Sequence, residues 1–162
     1  DTPYGRIFHT GDWKLDEQPV LGQPSTEEQI RAIGDEGVLA LVCDSTNAFN
    51  NDDSGSEGSV YADLLRSVKE ARGRVVITTF ASNAARLHTL GEVAKASGRK
   101  LCFAGRSLDR IIEAAQATGY LKDLPETIDM EMVDTLPRNK VMVVATGGQG
   151  ESRAALARIA AG

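Results

Sequence analysis

Four stretches of this chain follow one plan: an apolar run of strand length, a polar cluster, then sequence of helical character. The runs and junctions are VLALVC into Asp44-Ser45-Thr46-Asn47, RVVITT into Phe80-Ala81-Ser82-Asn83, KLCFA into Gly105-Arg106-Ser107, and KVMVVA into Thr146-Gly147-Gly148-Gln149-Gly150-Glu151. This alternation predicts an α/β fold, a three-layer Rossmann-like sandwich with a mostly parallel sheet and helices on both faces. In an open parallel sheet such junctions gather on the carboxyl edge of the strands, where ligands bind. A strand needs hydrophobic residues and a helix needs a cap. Neither needs a carboxylate, a guanidinium and a glycine-rich turn on one rim. Ser, Asn and Gly are also ordinary caps and turn formers, so simple capping is the plain alternative.

At 162 residues, 41% hydrophobic and 25% charged, the chain suits one compact domain with a real core. No apolar run approaches the ~20 residues that span a bilayer, so no membrane partner is expected, and nothing resembles a signal peptide. The opening Asp1-Thr2-Pro3 reads like the interior of a longer protein. Cys43 and Cys102 both sit in apolar runs and are expected to be buried thiols, which fits a reducing cytoplasm. A net charge of -5 excludes a broad basic surface, so any nucleic-acid contact must be local, through a few arginines and backbone amides. With only His9 and His88, the chain alone cannot build a dinuclear hydrolytic metal site.

Along the chain, Tyr4–Phe8 reads as a strand. Ser25 with Glu28 forms the spacing of a capping box, predicting a helix over about 26–35 that stops near Gly37. Val38–Cys43 has the continuous apolar character of a strand buried on both faces. Residues 47–58 form a polar loop whose Asp52 and Asp53 lack the alternating spacing of a calcium loop. Helices are predicted at about 57–71, from a Ser82 cap to Gly98, from a Ser107 cap to Gly119, and from Glu151 onward. Leu87, Leu90, Val93 and Ala94 mark the buried face of the second of these.

The junctions carry the candidate chemistry. Gly147-Gly148-Gln149-Gly150 leads from a strand toward a helix and reads equally as an anion cradle or as a tight turn. Arg106 at a strand end suits bidentate phosphate binding or a surface ion pair. Asp44 either caps its own turn or serves a site. Ser82 and Asn83 offer hydroxyl and amide groups that Arg86, one turn on, can join. Phe80 reads as core rather than as a stacking platform, and Trp13 as a packing anchor.

Taken together, His9-Thr10-Gly11-Asp12-Trp13-Lys14, Asp44-Ser45-Thr46-Asn47-Ala48, Thr79-Phe80-Ala81-Ser82-Asn83, Gly105-Arg106-Ser107 and Thr146-Gly147-Gly148-Gln149-Gly150-Glu151 resemble, in order, the motifs of ribonuclease J, a β-CASP group of metallo-β-lactamase-fold nucleases. The resemblance covers essentially the whole chain. It implies a cytoplasmic RNA hydrolase acting in RNA maturation, including rRNA processing, and in decay, with 5′-to-3′ exonuclease and often endonuclease activity. It implies two metal ions, usually zinc, held between a metallo-β-lactamase domain and the β-CASP domain, and a homo-oligomer in the full-length form. By resemblance Asp12 bridges the metals and Asp44 is the first acidic motif of the β-CASP domain, both catalytic. Ser82, Asn83, Arg86, Arg106, Ser107, Gly147, Gly148, Gln149 and Gly150 then line the RNA channel.

The chain departs from the family pattern in places. The histidine-rich HxHxDH motif is absent and would lie upstream of residue 1; the later histidine motifs would lie beyond Gly162. Gly148 and Ser152 stand where many relatives have Ser and Pro, and Ala85 where some carry His. The resemblance divides the chain into 1–20, the edge of a truncated metallo-β-lactamase domain, and 21–162, the β-CASP domain. It makes the piece inactive and free of a metal pair by itself, with the rest of its metallo-β-lactamase domain and RNA as partners. Two rival readings are a non-catalytic nucleotide- or phosphate-binding Rossmann-like module and a scaffold that self-associates.

Overall fold

The computed structural model describes residues 1–16, 18–52 and 55–161, which form two compact units, 1–56 and 57–162. Asp53, half of the aspartate pair weighed against calcium, lies outside the described residues.

The first unit carries β1 (Ile7–His9), α1 (Glu27–Asp35) and β2 (Ala40–Val42). The strands pair in parallel, Ile7 opposite Ala40 and His9 opposite Val42. α1 opens on a capping box one residue later than expected. The Gln29 amide donates to Thr26 Oγ1 at 3.2 Å, and the Thr26 amide to Gln29 Oε1 at 3.0 Å. Ser25-x-x-Glu28 and Thr26-x-x-Gln29 share one spacing, and it is Thr26 that has the extended backbone an N-cap requires. β2 is exposed at every position rather than buried on both faces, with Leu41 and Val42 at 58% and 48% and Leu39 just before it at 66%. The cause is size: a two-stranded sheet supplies too little surface to bury itself. No described residue of this unit is fully buried. Cys43, expected inside, is exposed for the same reason.

The second unit holds α2 (Val60–Glu70), β3 (Val75–Thr78), α3 (Ala84–Ser97), β4 (Lys100–Ala104), α4 (Arg106–Ala117), β5 (Val141–Ala145) and α5 (Ala155–Ala161), with short 3₁₀ turns at Glu57–Ser59, Met130–Met132 and Arg138–Lys140. Its sheet is parallel in the order β3-β5-β4, so the last strand in sequence is the middle one. Val75 pairs with Met142, and Lys100 with Val141. Successive side chains of a strand face opposite ways, so burial at all five β5 positions means that both faces are covered. This is the expected α/β sandwich. The one sheet foreseen from the sequence is, however, two: β1 and β2 make their own.

One face of the sheet packs Cys102, Ala104, Val141, Val143 and Ala145 against Val133 and Ala155. α3 buries Leu87, Leu90, Val93 and Ala94 completely, as their spacing predicts. Burial of each such leucine stabilises by about 1.5–3 kcal/mol. The helix starts differ from expectation in an instructive way. α3 is capped by Asn83, whose side chain accepts from the Arg86 amide at 2.9 Å, not by Ser82. α4 begins at Arg106 with Gly105 as its cap instead of Ser107. Gly105 has φ +138, and a Cβ there would stand 3.0 Å from Thr146 Oγ1. Only glycine turns from strand to helix so abruptly, which moves the helix start forward.

Arg99 fastens the unit together. Only 7% exposed, it donates through Nη1 to the Gly73 and Val141 carbonyls at 2.8 and 3.2 Å. Through Nη2 it donates to the Val68 and Ala71 carbonyls at 3.0 and 2.6 Å. The last two belong to the carboxyl end of α2, where carbonyls lack helical partners and a cation is favoured. Arg99→Met should therefore lower stability by about 3 kcal/mol, because several buried carbonyls lose their donor; urea unfolding monitored by circular dichroism would measure it.

The two thiols should also separate by chemistry. Burial pushes Cys102 up from 9.0 to about 11, with the Asp129 and Asp109 charges adding to the rise. At pH 8 a thiol reagent should modify one cysteine of the folded chain, Cys43, and the second only on unfolding. Between 9.0 and about 11 an unfolded thiol is ionised while the folded one keeps its proton. The unfolded state then binds fewer protons, so the Cys102 contribution to stability falls as pH rises through that window, and pH-dependent urea midpoints would show it.

Candidate nucleic-acid interface

In the first unit the parallel pairing of β1 and β2 brings two junctions side by side. The Thr10 amide donates to the Val42 carbonyl at 3.0 Å, and the Asp44 amide to Thr10 Oγ1 at 3.3 Å. Trp13 Nε1 donates to the Asp44 carbonyl at 3.1 Å, so the tryptophan is indeed an anchor. Asp12 thus lies on a turn tied to the turn of Asp44. Asp44 Oδ1 accepts from the Thr46 hydroxyl at 2.6 Å and the Thr46 amide at 2.9 Å, and these bonds hold its carboxyl below the usual carboxylate range. His9 Nδ1 accepts from the Gly11 amide at 3.0 Å. Among the described residues no three His, Cys, Asp or Glu side chains gather closely enough to hold a metal ion. The described donors around Asp12 therefore do not by themselves fit a metal ion.

In the second unit the ends of β3, α3, α4 and β5 enclose an open cleft of about 780 Å³ at the carboxyl edge of the sheet. It is lined by Phe80 and Asn83 after β3, Ser107 at the start of α4, and Gly147, Gly148 and Gln149 after β5, with Arg86 and Arg153 also reaching it. Six of the nine channel residues expected in this unit therefore meet: Asn83, Arg86, Ser107, Gly147, Gly148 and Gln149. Arg106 lines an adjoining groove, and Ser82 and Gly150 are exposed outside both linings.

The geometry revises the roles inside the cleft. Arg86 is held in a two-point ion pair with Glu57, Nη2 to Oε2 at 3.1 Å and Nε to Oε1, and this bond raises its pKa further. The glycine loop closes as a turn, the Gly150 amide donating to the Gly147 carbonyl at 3.3 Å. Glu151 Oε2 accepts from the Gln149 amide at 2.9 Å, so a carboxylate of the chain itself takes that donor. Because Glu151 serves this turn, the last helix starts at Ala155 rather than Glu151. Gly147, at φ +119, would place a Cβ 2.9 Å from Ala154 Cβ, which fixes glycine there.

Within the cleft, Phe80 is the residue that sequence reasoning placed wrongly. It is 58% exposed and lines the cleft instead of the core. Its position just past the last strand residue was the available signal, since a side chain beyond the strand end has left the buried layers. An exposed ring beside amide, hydroxyl and guanidinium groups is the combination that stacks a base while holding its backbone.

A family model described as "Ribonuclease J, beta-CASP domain" matches residues 72–162, which include the whole cleft. This chain belongs to that family. Ribonuclease J of Sinorhizobium meliloti is 45% identical over 159 residues, 98% of this chain and 28% of the relative. Ribonuclease J of Corynebacterium glutamicum is 45% identical over 160 residues, 98% of this chain and 22% of the relative. Ribonuclease J of Thermus thermophilus is 40% identical over 159 residues, 98% of this chain and 28% of the relative. The chain therefore spans between 22% and 28% of the length of these three relatives.

Removing Glu57 tests the ion pair. Glu57→Ala leaves the partly buried Arg86 without its carboxylate and should cost about 1–2 kcal/mol, discounted for partial exposure. A double-mutant cycle with Arg86→Ala, read from urea midpoints, should return a favourable coupling energy.

Proposed function

We propose that this chain supplies the RNA-facing β-CASP part of a metal-dependent ribonuclease. The observation that carries the reading is the cleft itself: an exposed aromatic ring, a helix start and a glycine turn converge within the segment that matches the family. In this reading Phe80 stacks a base, and Asn83, Ser107 and the Gly147–Gly148 backbone contact adjacent phosphates. Arg86, occupied by Glu57, acts by fixing the start of α3.

Residues 1–20 continue a metallo-β-lactamase domain and 21–162 form the β-CASP domain in this proposal. The exposed apolar side chains of the first unit, Leu39, Leu41 and Phe49 among them, suit a surface that the rest of the longer protein covers. Asp12 is one ligand of the family's metal pair, proposed to be zinc, with the other ligands supplied by the longer protein. Such metals polarise the phosphodiester and stabilise charge that develops on its oxygens. Asp44 orders the neighbouring turn through Thr46. The parent acts 5′ to 3′ and endonucleolytically in RNA maturation and decay, in the cytoplasm, as a homo-oligomer. No described helix is long and apolar enough to cross a membrane.

In the longer protein, Asp12→Ala should lower RNA hydrolysis by at least about 100-fold, the scale of losing one transition-state electrostatic group. Undiminished cleavage would remove Asp12 from the metal site. Metal analysis of the purified chain is the second arm: near two zinc ions per chain would overturn the assignment of most ligands to the rest of the protein.

A further inference from the structure

Beside the cleft lies a second groove, of about 540 Å³, with a different character. Four arginines line it: Arg106 and Arg110 one turn apart on α4, Arg153 before α5, and Arg158 within it. All four are exposed, and none of their guanidinium groups has an ion-pair or hydrogen-bond partner among the described residues. No carboxylate is among the described residues lining the groove. Asp109, on the same helix, lines a neighbouring hollow that also holds Asp134 and shares Arg106 and Arg158 with the groove. Neither carboxylate lines the groove itself or pairs with these arginines. In a chain of net charge -5 this is a local reversal of sign.

A guanidinium cannot relieve crowding by losing its proton, unlike a lysine or histidine. Four of them around one concavity repel one another until an anion or dense counterions occupy it. Planar forks of donors match phosphate oxygens, and a series of such forks matches a series of phosphates. The groove shares Ser107, Thr146 and Arg153 with the cleft, so the two form one continuous path.

We propose that Arg110, Arg153 and Arg158 form a phosphate track that carries the backbone of single-stranded RNA onward from the cleft. The track sets affinity without reading sequence, while stacking at Phe80 holds the strand in register. The choice of RNA as the anion rests on the ribonuclease reading above.

The test is a fluorescence-anisotropy titration of the 162-residue chain with a labelled single-stranded oligoribonucleotide at several salt concentrations. Wild type, Phe80→Ala and the triple variant R110Q/R153Q/R158Q are compared. Because the three arginines are exposed, the variant should keep the wild-type circular dichroism spectrum. Its affinity should fall at least about tenfold, and the slope of log affinity against log salt should shrink by about 2, since each phosphate left without its arginine removes about 0.7. Phe80→Ala should weaken binding while leaving that slope unchanged.

RNA binding that is lost in Phe80→Ala yet has wild-type affinity and slope in the triple variant overturns the track and leaves the ribonuclease reading standing. A wild-type chain that ignores RNA but binds inorganic tripolyphosphate through the same three arginines overturns RNA as the occupant, and that reading with it. Preference for polyglutamate over RNA overturns the phosphate track as well.

Discussion

Everything in the larger unit depends on β5 being enclosed. It is paired on both edges, by β3 and β4, and buried on both faces along its whole length. A strand so placed must be apolar throughout, and VMVVA is. The pairing aligns the ends of three strands, because parallel register fixes Thr78, Ala104 and Ala145 on one level. Whatever follows each strand is then delivered to one edge. The cleft is a consequence of that alignment, and its lining is whatever the sequence places in the first few residues beyond it.

Arg99 shows how the same unit meets its polar obligations. Four carbonyls from the end of α2, the turn after it and the start of β5 converge on one guanidinium. The cation needs no carboxylate because a helix end and oriented carbonyl dipoles stabilise it. Charge in this protein is thus handled in three ways. Arg99 is solvated by backbone, Arg86 is neutralised by Glu57, and the arginines beside α4 are left open.

Much of this was legible in the residues. The Leu87, Leu90, Val93 spacing gave α3 its buried face, and Gly98, left-handed at φ +66, ended it as expected. The apolar runs at 100–104 and 140–145 became strands to within a residue. What was not legible depends on distant partners. The run ending at Cys43 looks as apolar as β5, yet it is exposed, since burial is decided by what stacks on a strand and not by the strand itself. Glu57 and Arg86 are 29 positions apart and carry no local sign of pairing. Single-residue shifts of helix caps arise where neighbouring residues satisfy one rule equally well, as at Ser25 and Thr26. Within the second unit, the residues that follow β3, β4 and β5 do meet at one cleft, as the shared strand-end plan of their junctions suggests.

The position of β5 has a consequence for how the molecule is made. During synthesis β3 and β4 emerge some tens of residues before the strand that must slip between them. Until Ala145 has left the ribosome, neither has its sheet partner, and both present unpaired edges. Helices α2 and α3 can pair early, but the sheet waits for β5. A nascent chain of this kind stays vulnerable to edge-to-edge association until β5 emerges, and the sheet then closes in one cooperative event of high contact order.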